Sequence, residues 1–156
     1  MGSIKKILYP TDFSKHSLSA LPYAKELAKL SSAEIHCLHV VDEACQYWLG
    51  AGEAAMPVVM PAEDIKNSAQ EQMTQFVEAH FGDPQGSVVA NLVTGRPFVE
   101  IIRYARENEI DLIVIATHGH GALASMLLGS VTEKVVRKST CPVLTVRHPE
   151  HKFEIP

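Results

Sequence analysis

Three glycines and a run of small polar residues mark the part of this chain best suited to chemistry. Gly119, Gly121 and Gly129 lie between an apolar run, Leu112 to Ala116, and a segment with helical patterning that opens Ser130-Val131-Thr132-Glu133. Glycines let a ligand reach the backbone and tolerate positive φ. Free N–H groups at a helix start point outward, and the helix dipole favours an anion there. The chemistry this spacing suits is the binding of an anion, and a phosphate chain is the natural guest. The alternative is a plain strand-turn-helix whose glycines only make turns. Ser130 to Glu133 also fit the S-x-x-E capping box, so we expect Ser130 to cap this helix.

The elements that must position this loop follow from periodicity. Leu112 to Ala116 is rich in β-branched residues and reads as a strand buried on both faces. Lys6 to Pro10 reads as the first strand, and Thr11-Asp12-Phe13 as the turn after it. The first helix has Ser14 or Ser17 as its cap and Leu18, Leu21, Ala24, Leu27 and Ala28 on its apolar face. Pro22 inside that pattern demands a kink or a late start. Glu34 to Val41 is the second strand. Asp42 to Pro61 is a long irregular segment holding Cys45, Tyr47, Trp48, Gly50, Gly52, Pro57 and Pro61; a loop of about 20 residues in a compact domain is often functional.

The second helix spans Ala62 to Phe81, with Ile65, Ala69, Met73, Phe76, Val77 and Phe81 on one face and Gly82 beyond its end. Val88 to Thr94 is the third strand. Pro97 suits the first position of a third helix, Phe98 to Glu107. The fourth strand, the glycine loop with a small apolar segment from Ala122 to Leu128, the fourth helix and a last strand, Val143 to Arg147, complete a (βα)4β pattern. Regular alternation predicts an α/β fold: an open five-stranded parallel sheet, helices on both faces and right-handed crossovers. Ligands bind such sheets beyond the carboxyl ends of the strands, where strand order reverses. The ends available are Pro10-Thr11-Asp12, Val40-Val41-Asp42 and Thr117-His118-Gly119.

Composition limits the function classes. The chain has 156 residues and reads as one domain; a chain of this size buries about 68–70% of its unfolded surface and needs no staples. A net charge of −4 leaves no electrostatic footprint for nucleic acid or an anionic membrane. Cys37, Cys45 and Cys141 cannot all pair within one chain, and two of them sit in apolar segments, which suits a reducing cytoplasm. The N-terminus runs straight into I-K-K-I-L-Y-P, so we expect no signal peptide, and no apolar run approaches the roughly 18 residues of a membrane span.

Three known phosphate motifs do not fit. A Walker A loop needs a lysine after its last glycine, and none follows Gly129. A dinucleotide fingerprint belongs after the first strand, where there is no glycine. Thr117-His118-Gly119-His120 imitates the T-x-G-H signature of nucleotidylyl transferases but follows the fourth strand, not the first. His36 and His39 face opposite sides of a strand. His118 and His120 share a face beside the loop, but lack further ligands at zinc spacing.

The whole pattern resembles the universal stress protein family. K-K-I-L-Y-P-T-D-F-S, L-H-V-V-D, and A-T-H-G followed after nine residues by G-S-V-T-E-K-V-V-R-K-S-T-C-P-V-L-T-V-R carry the resemblance from Ile4 to Arg147. The nucleotide-binding members share G-x-x-G, nine residues, then G-[ST]. This chain matches at Gly119, Gly129 and Ser130, and departs at Ala116, which stands at the first glycine. The resemblance implies an adenine nucleotide alpha hydrolase-like, Rossmann-like fold and a cytoplasmic stress-response module that binds ATP, ADP or AMP. It implies that Asp12 accepts hydrogen bonds from the ribose or adenine, with an N-cap of the first helix as the alternative. Pro10, Thr11, Val40 and Val41 would wall the adenine, or serve as plain core. Gly119, His120, Gly121, Gly129, Ser130, Val131 and Thr132 would surround the phosphates, with Ala116, Thr117 and His118 leading into them. A Mg²⁺ or Mn²⁺ ion would ride on the phosphates.

Two other functions stay open. One is an enzyme that hydrolyses ATP or transfers its phosphoryl or adenylyl group. Such catalysis needs a cationic clamp, and the glycine loop has none; Lys134, Arg137 and Lys138 lie farther along the last helix. The other is a member that has lost nucleotide binding and only dimerises, which Ala116 leaves open. Topology places the last strand at one edge of the sheet, with Pro142 at its start where a missing N–H does little harm. An apolar edge left bare invites aggregation, and nothing in the polar residues after Arg147 is suited to cover it. We therefore expect a homodimer through residues 142–147, and the resemblance points the same way. The downstream partner is not legible.

Overall fold

The computed structural model describes residues 2–44, 60–82, 88–119 and 127–149. Its elements run β1 (Lys6–Pro10), α1 (Lys15–Leu18), α2 (Leu21–Ser31), β2 (Glu34–Asp42), α3 (Ala62–His80), β3 (Val88–Gly95), α4 (Pro97–Glu107), β4 (Leu112–Ala116), α5 (Ser130–Lys138) and β5 (Val143–Val146). The strands form one five-stranded sheet in the order β3-β2-β1-β4-β5, and every pair is parallel. The chain winds outward from β1 through β2 to β3, then crosses to β4 and β5. Strand order therefore reverses between β1 and β4.

The alternation of side chains divides the core in two. Ile7 and Tyr9 of β1, Ile35 and Cys37 of β2, and Leu112 and Val114 of β4 pack against α2 through Leu21, Ala24 and Ala28 and against α3 through Met73 and Phe76. Leu8, Leu38, Ile113 and Ile115 point the other way and meet Ile101 and Ala105 of α4 and Val135 of α5. Every residue of β4 is buried, as the β-branched run predicts for a strand covered on both faces. His36 and His39 fall on opposite faces as strand geometry requires. His36 joins Glu34 and Tyr104 at 2.9 and 2.8 Å on the α4 side.

The first helix differs from expectation. It is two helices, and the break resolves the conflict over Pro22. Pro22 sits in the first turn of α2, where its missing N–H has no intrahelical acceptor to lose. Ser14, not Ser17, caps α1, its hydroxyl accepting from the Ser17 N–H at 3.1 Å. The expected capping box of α5 does not form. Gly129 is the N-cap, in an extended conformation, and no side chain caps the helix, so Ser130 is already its first helical residue. Gly129 takes that position because its N–H is held by the Thr117 carbonyl at 2.7 Å.

The other boundaries shift by one residue. β2 and β3 run on to Asp42 and Gly95 because their ladder continues to that pair, α4 includes Pro97, and α3 and β5 stop at His80 and Val146. Asp42 thus belongs to β2 and not to the irregular segment. Cys45, Tyr47, Trp48, Gly50, Gly52 and Pro57 lie outside the described residues, as do His120, Gly121 and most of the apolar segment from Ala122 to Leu128. Among the described residues, no helix is long and apolar enough to cross a membrane, and Cys37 and Cys141 are free thiols.

Candidate functional site

A cleft of about 730 Å³ opens at the carboxyl ends of β1, β2 and β4, where the strand order reverses. Three segments from the sequence reading meet there: Pro10, Thr11 and Asp12 at the end of β1, Val40 and Val41 of β2, and Ala116, His118 and Gly119 at the end of β4. Gly129, Ser130, Val131 and Thr132 close it from the start of α5. Thr117 is buried behind the cleft and does not line it. His120 and Gly121 lie outside the described residues.

The turn from β1 into α1 is held by a dense polar network. The Thr11 N–H donates to the Leu38 carbonyl at 2.9 Å, one step beyond the last paired residues of β1 and β2. The Thr11 hydroxyl accepts from the Phe13 N–H at 3.0 Å and lies 3.0 Å from the Ser17 hydroxyl. Tyr9 donates to the Ser17 carbonyl at 2.9 Å from below, and burial pushes its phenol well above the ordinary range. Asp12 Oδ1 accepts from the Ser14 N–H at 3.0 Å and from the Ser14 hydroxyl. Asp12 is therefore not the cap of α1; it orients Ser14, which is. Phe13 turns the chain with φ of 62°, in the left-handed region.

On the other side, the turn out of β4 is fixed by its backbone. The Thr117 N–H donates to the Val146 carbonyl at 2.8 Å. The Thr132 hydroxyl donates to the Ala116 carbonyl at 2.8 Å, tying the first turn of α5 to the end of β4. His118 Nδ1 lies 3.1 Å from the Thr117 hydroxyl. The N–H groups of Ser130, Val131 and Thr132 have no intrahelical acceptor, and no side chain caps them. That helix end borders the cleft with its positive dipole.

The two turns approach each other closely at Gly119. A Cβ on Gly119 would overlap Asp12 Oδ2. At Gly129 an added Cβ would come within 3.1 Å of the Thr117 carbonyl oxygen, a tight fit against backbone.

The walls are unequal. On the α4 side, Leu38, Val40, Pro97, Ile101 and Ile115 are apolar. On the α3 side, Ile65, Ser68, Ala69 and Gln72 line the cleft at helical spacing, with His39 beside them. Sequence reasoning missed these flanking residues. For Ser68 and Gln72 the signal was their place beside Ile65 and Ala69 on one helical face. For His39 it was its position two residues before Val41 on the same face of β2. Pro97 was read only as a helix start.

Electrostatics are acidic. Asp12 and Asp42 line the cleft, and among the described residues no lysine or arginine does. The cations of α5 are engaged elsewhere: Lys134 and Lys138 lie over the Phe98 ring at 4.8 and 5.7 Å, and Arg137 pairs with Glu133 at 3.0 Å. Among the described residues, no group of three or more His, Cys, Asp or Glu is placed to hold a metal ion.

Known proteins share this fold. The sequence profile of the universal stress protein family matches residues 3–147. Universal stress protein MJ0577 of Methanocaldococcus jannaschii is 35% identical over 153 residues, covering 92% of this chain and 94% of that protein. Its solved structure aligns with a TM-score of 0.73 at 32% identity, over 96% of this chain and 99% of its own. Universal stress protein UspA from Lactobacillus plantarum aligns with a TM-score of 0.75 at 26% identity, over 94% and 100% of the two chains. A universal stress protein solved in complex with cAMP shares the fold at 24% identity, with a TM-score of 0.60 over 94% and 98% of the chains. With its parallel sheet, its glycine loop and its sequence matched from residue 3 to residue 147, this chain belongs to the universal stress protein family.

Proposed function

We propose that this chain is a cytoplasmic stress-response module that binds an adenine nucleotide, ATP foremost, and passes its nucleotide state to a partner protein. One observation carries the reading: the uncapped N-terminus of α5 and the carboxylate of Asp12 border the same cleft at the reversal of strand order. A helix start with three N–H groups lacking an intrahelical acceptor suits phosphate oxygens. A carboxylate accepts hydrogen bonds only, which suits ribose hydroxyls or an exocyclic amine. The apolar wall of Leu38, Val40, Pro97, Ile101 and Ile115 suits the face of a base. The neighbour solved with cAMP is in keeping with a ligand of this class.

Each residue then has a role. Asp12 reads the sugar or base. Pro10, Thr11, Val40 and Val41 wall the base. Gly119, Ser130, Val131 and Thr132, with His120 and Gly121 from the loop, surround the phosphates. Gly129 contributes space and helix geometry, because its own N–H is held by Thr117. Ala116, Thr117 and His118 set the path of the strand end. A Mg²⁺ or Mn²⁺ ion bound here would be held chiefly by the phosphates, with Asp12 or Asp42 as the carboxylates within the cleft. Among the described residues no lysine or arginine lines the walls to stabilise charge on a transferring phosphoryl group, which favours holding the nucleotide over turning it over. The signalling unit is a homodimer through the edge strand β5.

The test is direct. Protein purified without added nucleotide is denatured, and the released small molecules are identified by mass spectrometry; calorimetry then measures ATP, ADP and AMP binding to the emptied protein. We expect an adenine nucleotide in the first experiment or a saturable heat in the second. The absence of both, no released nucleotide and no heat with millimolar ATP, would overturn the reading and leave a dimeric member without nucleotide.

A further inference from the structure

Where the pairing of β1 and β2 ends, at Pro10 and Leu38, β2 keeps its grip on the next residue from two sides. The Leu38 carbonyl takes the Thr11 N–H at 2.9 Å, and His39 Nδ1 lies 2.8 Å from the Thr11 carbonyl oxygen. A carbonyl oxygen only accepts, so Nδ1 carries the proton in this contact. The same imidazole stacks on Phe13, with ring centroids 4.3 Å apart and planes 29° from parallel. Phe13 is also backed by Phe76 of α3 at 5.4 Å. That ring is thus flanked by His39 and Phe76 at the one residue of the turn whose φ is positive, a conformation a bulky side chain adopts only when its surroundings hold it there. Asp12 sits between the two residues His39 touches, and His39 lines the same cleft as Asp12.

We propose that His39 is a positioning residue for the cleft: its Nδ1–H on the Thr11 carbonyl and its ring on Phe13 fix the turn that carries Asp12 in its binding shape before a ligand enters. The effect on affinity rests on the nucleotide-binding reading above; the effect on the turn does not. Because the turn needs no reordering when ligand arrives, the binding energy is not spent on ordering it.

The test has three arms. Nitrogen NMR shifts of His39 in the wild-type protein report which ring nitrogen bears the proton, and we expect Nδ1–H. Hydrogen exchange then follows the Phe13 and Ser14 amides, which donate to Thr11 Oγ1 and Asp12 Oδ1, in wild type, His39→Asn and His39→Gln. Asparagine offers an amide N–H close to the place of Nδ1, and glutamine offers it close to Nε2. Loss of the contact should speed exchange of both amides in His39→Gln and weaken adenine nucleotide binding by about tenfold, and His39→Asn should recover most of each. Thermal unfolding of both variants checks that they are folded.

An Nε2–H tautomer in the wild type would overturn the proposal without any substitution. So would a folded His39→Gln with wild-type exchange and affinity, or a His39→Asn no better than His39→Gln. If wild type binds no nucleotide, that failure belongs to the functional reading, and the tautomer and exchange arms still decide whether His39 holds the turn.

Discussion

The carboxylate of Asp12 occupies the space that a Cβ on residue 119 would need. Two turns, from the first strand and the fourth, are thereby fitted to each other, and the glycine at 119 leaves room for the carboxylate. Gly119→Ala should displace the Asp12 carboxylate, whose Oδ2 it would overlap, and reproduce the effect of Asp12→Ala. In both variants we expect adenine nucleotides as a class to lose about 1.5–3 kcal/mol, the range for a lost hydrogen bond to a charged group. Calorimetry with AMP and ATP checks it. A loss with ATP alone would assign Asp12 to the phosphates, and unchanged affinity in a folded Gly119→Ala would break the link between the two residues.

At Gly129 the neighbour is backbone and not a side-chain end: an added Cβ meets the Thr117 carbonyl oxygen at 3.1 Å, and that oxygen already accepts the Gly129 N–H. Gly129→Val should shift the start of α5 and crowd the N–H groups that face the cleft. We expect ATP binding to vanish while circular dichroism and the unfolding transition show a folded protein. ATP bound by the folded variant with wild-type affinity would remove the helix start from the site.

ATP turnover should be slow or undetectable. No lysine or arginine lines the cleft among the described residues, and phosphoryl transfer relies on cations at the transferring group. Release of phosphate from labelled ATP, followed over hours, measures this. A rate of about 1–100 s⁻¹, the range usual for kinases, would make the protein an enzyme.

The edge strand β5 should pair with its own copy across a two-fold axis, since an isologous contact of a strand with itself is antiparallel and self-complementary. The neighbouring α5 adds apolar surface on the outside, with Val136 43% exposed. Light scattering at micromolar concentration should give a dimer mass, and Val143→Pro with Thr145→Pro should give a monomer. A wild-type monomer, or a dimer that survives both prolines, would place the interface elsewhere or nowhere.

Stability should fall at alkaline pH. Burial pushes the Cys37 thiol from an ordinary 9.0 up to about 12, and burial also raises the Tyr9 phenol above its ordinary 10.0. Above about pH 9 the unfolded chain sheds a thiol proton that the folded chain keeps, so the unfolded state binds fewer protons and stability declines as pH rises. The slope approaches about 1.4 kcal/mol per pH unit for each such group. Urea midpoints between about pH 8 and 11 should therefore drop, less steeply in Cys37→Ala. A flat profile would mean that the thiol ionises freely in the fold.

The sequence by itself determined the alternation of strands and helices, and with it the parallel sheet. Hydrophobic period is a local property: the β-branched run of Leu112–Ala116 and the apolar faces of α3 and α4 can be read without knowing what they touch. The same holds for the spacing of Gly119, Gly129 and Ser130. What depends on partners far away in the chain was decided only by the tertiary structure. Ser130 has the sequence of a cap, but the Thr117 carbonyl captured the Gly129 N–H and moved the cap one residue back. Asp12 looked like either a cap or a ligand, and its contact with Gly119 came from folding together residues more than a hundred positions apart. His39 reads as one more polar residue on a strand. Its hydrogen bond to Thr11 and its stack on Phe13 exist because β2 lies beside β1, a neighbour relation that no local pattern encodes.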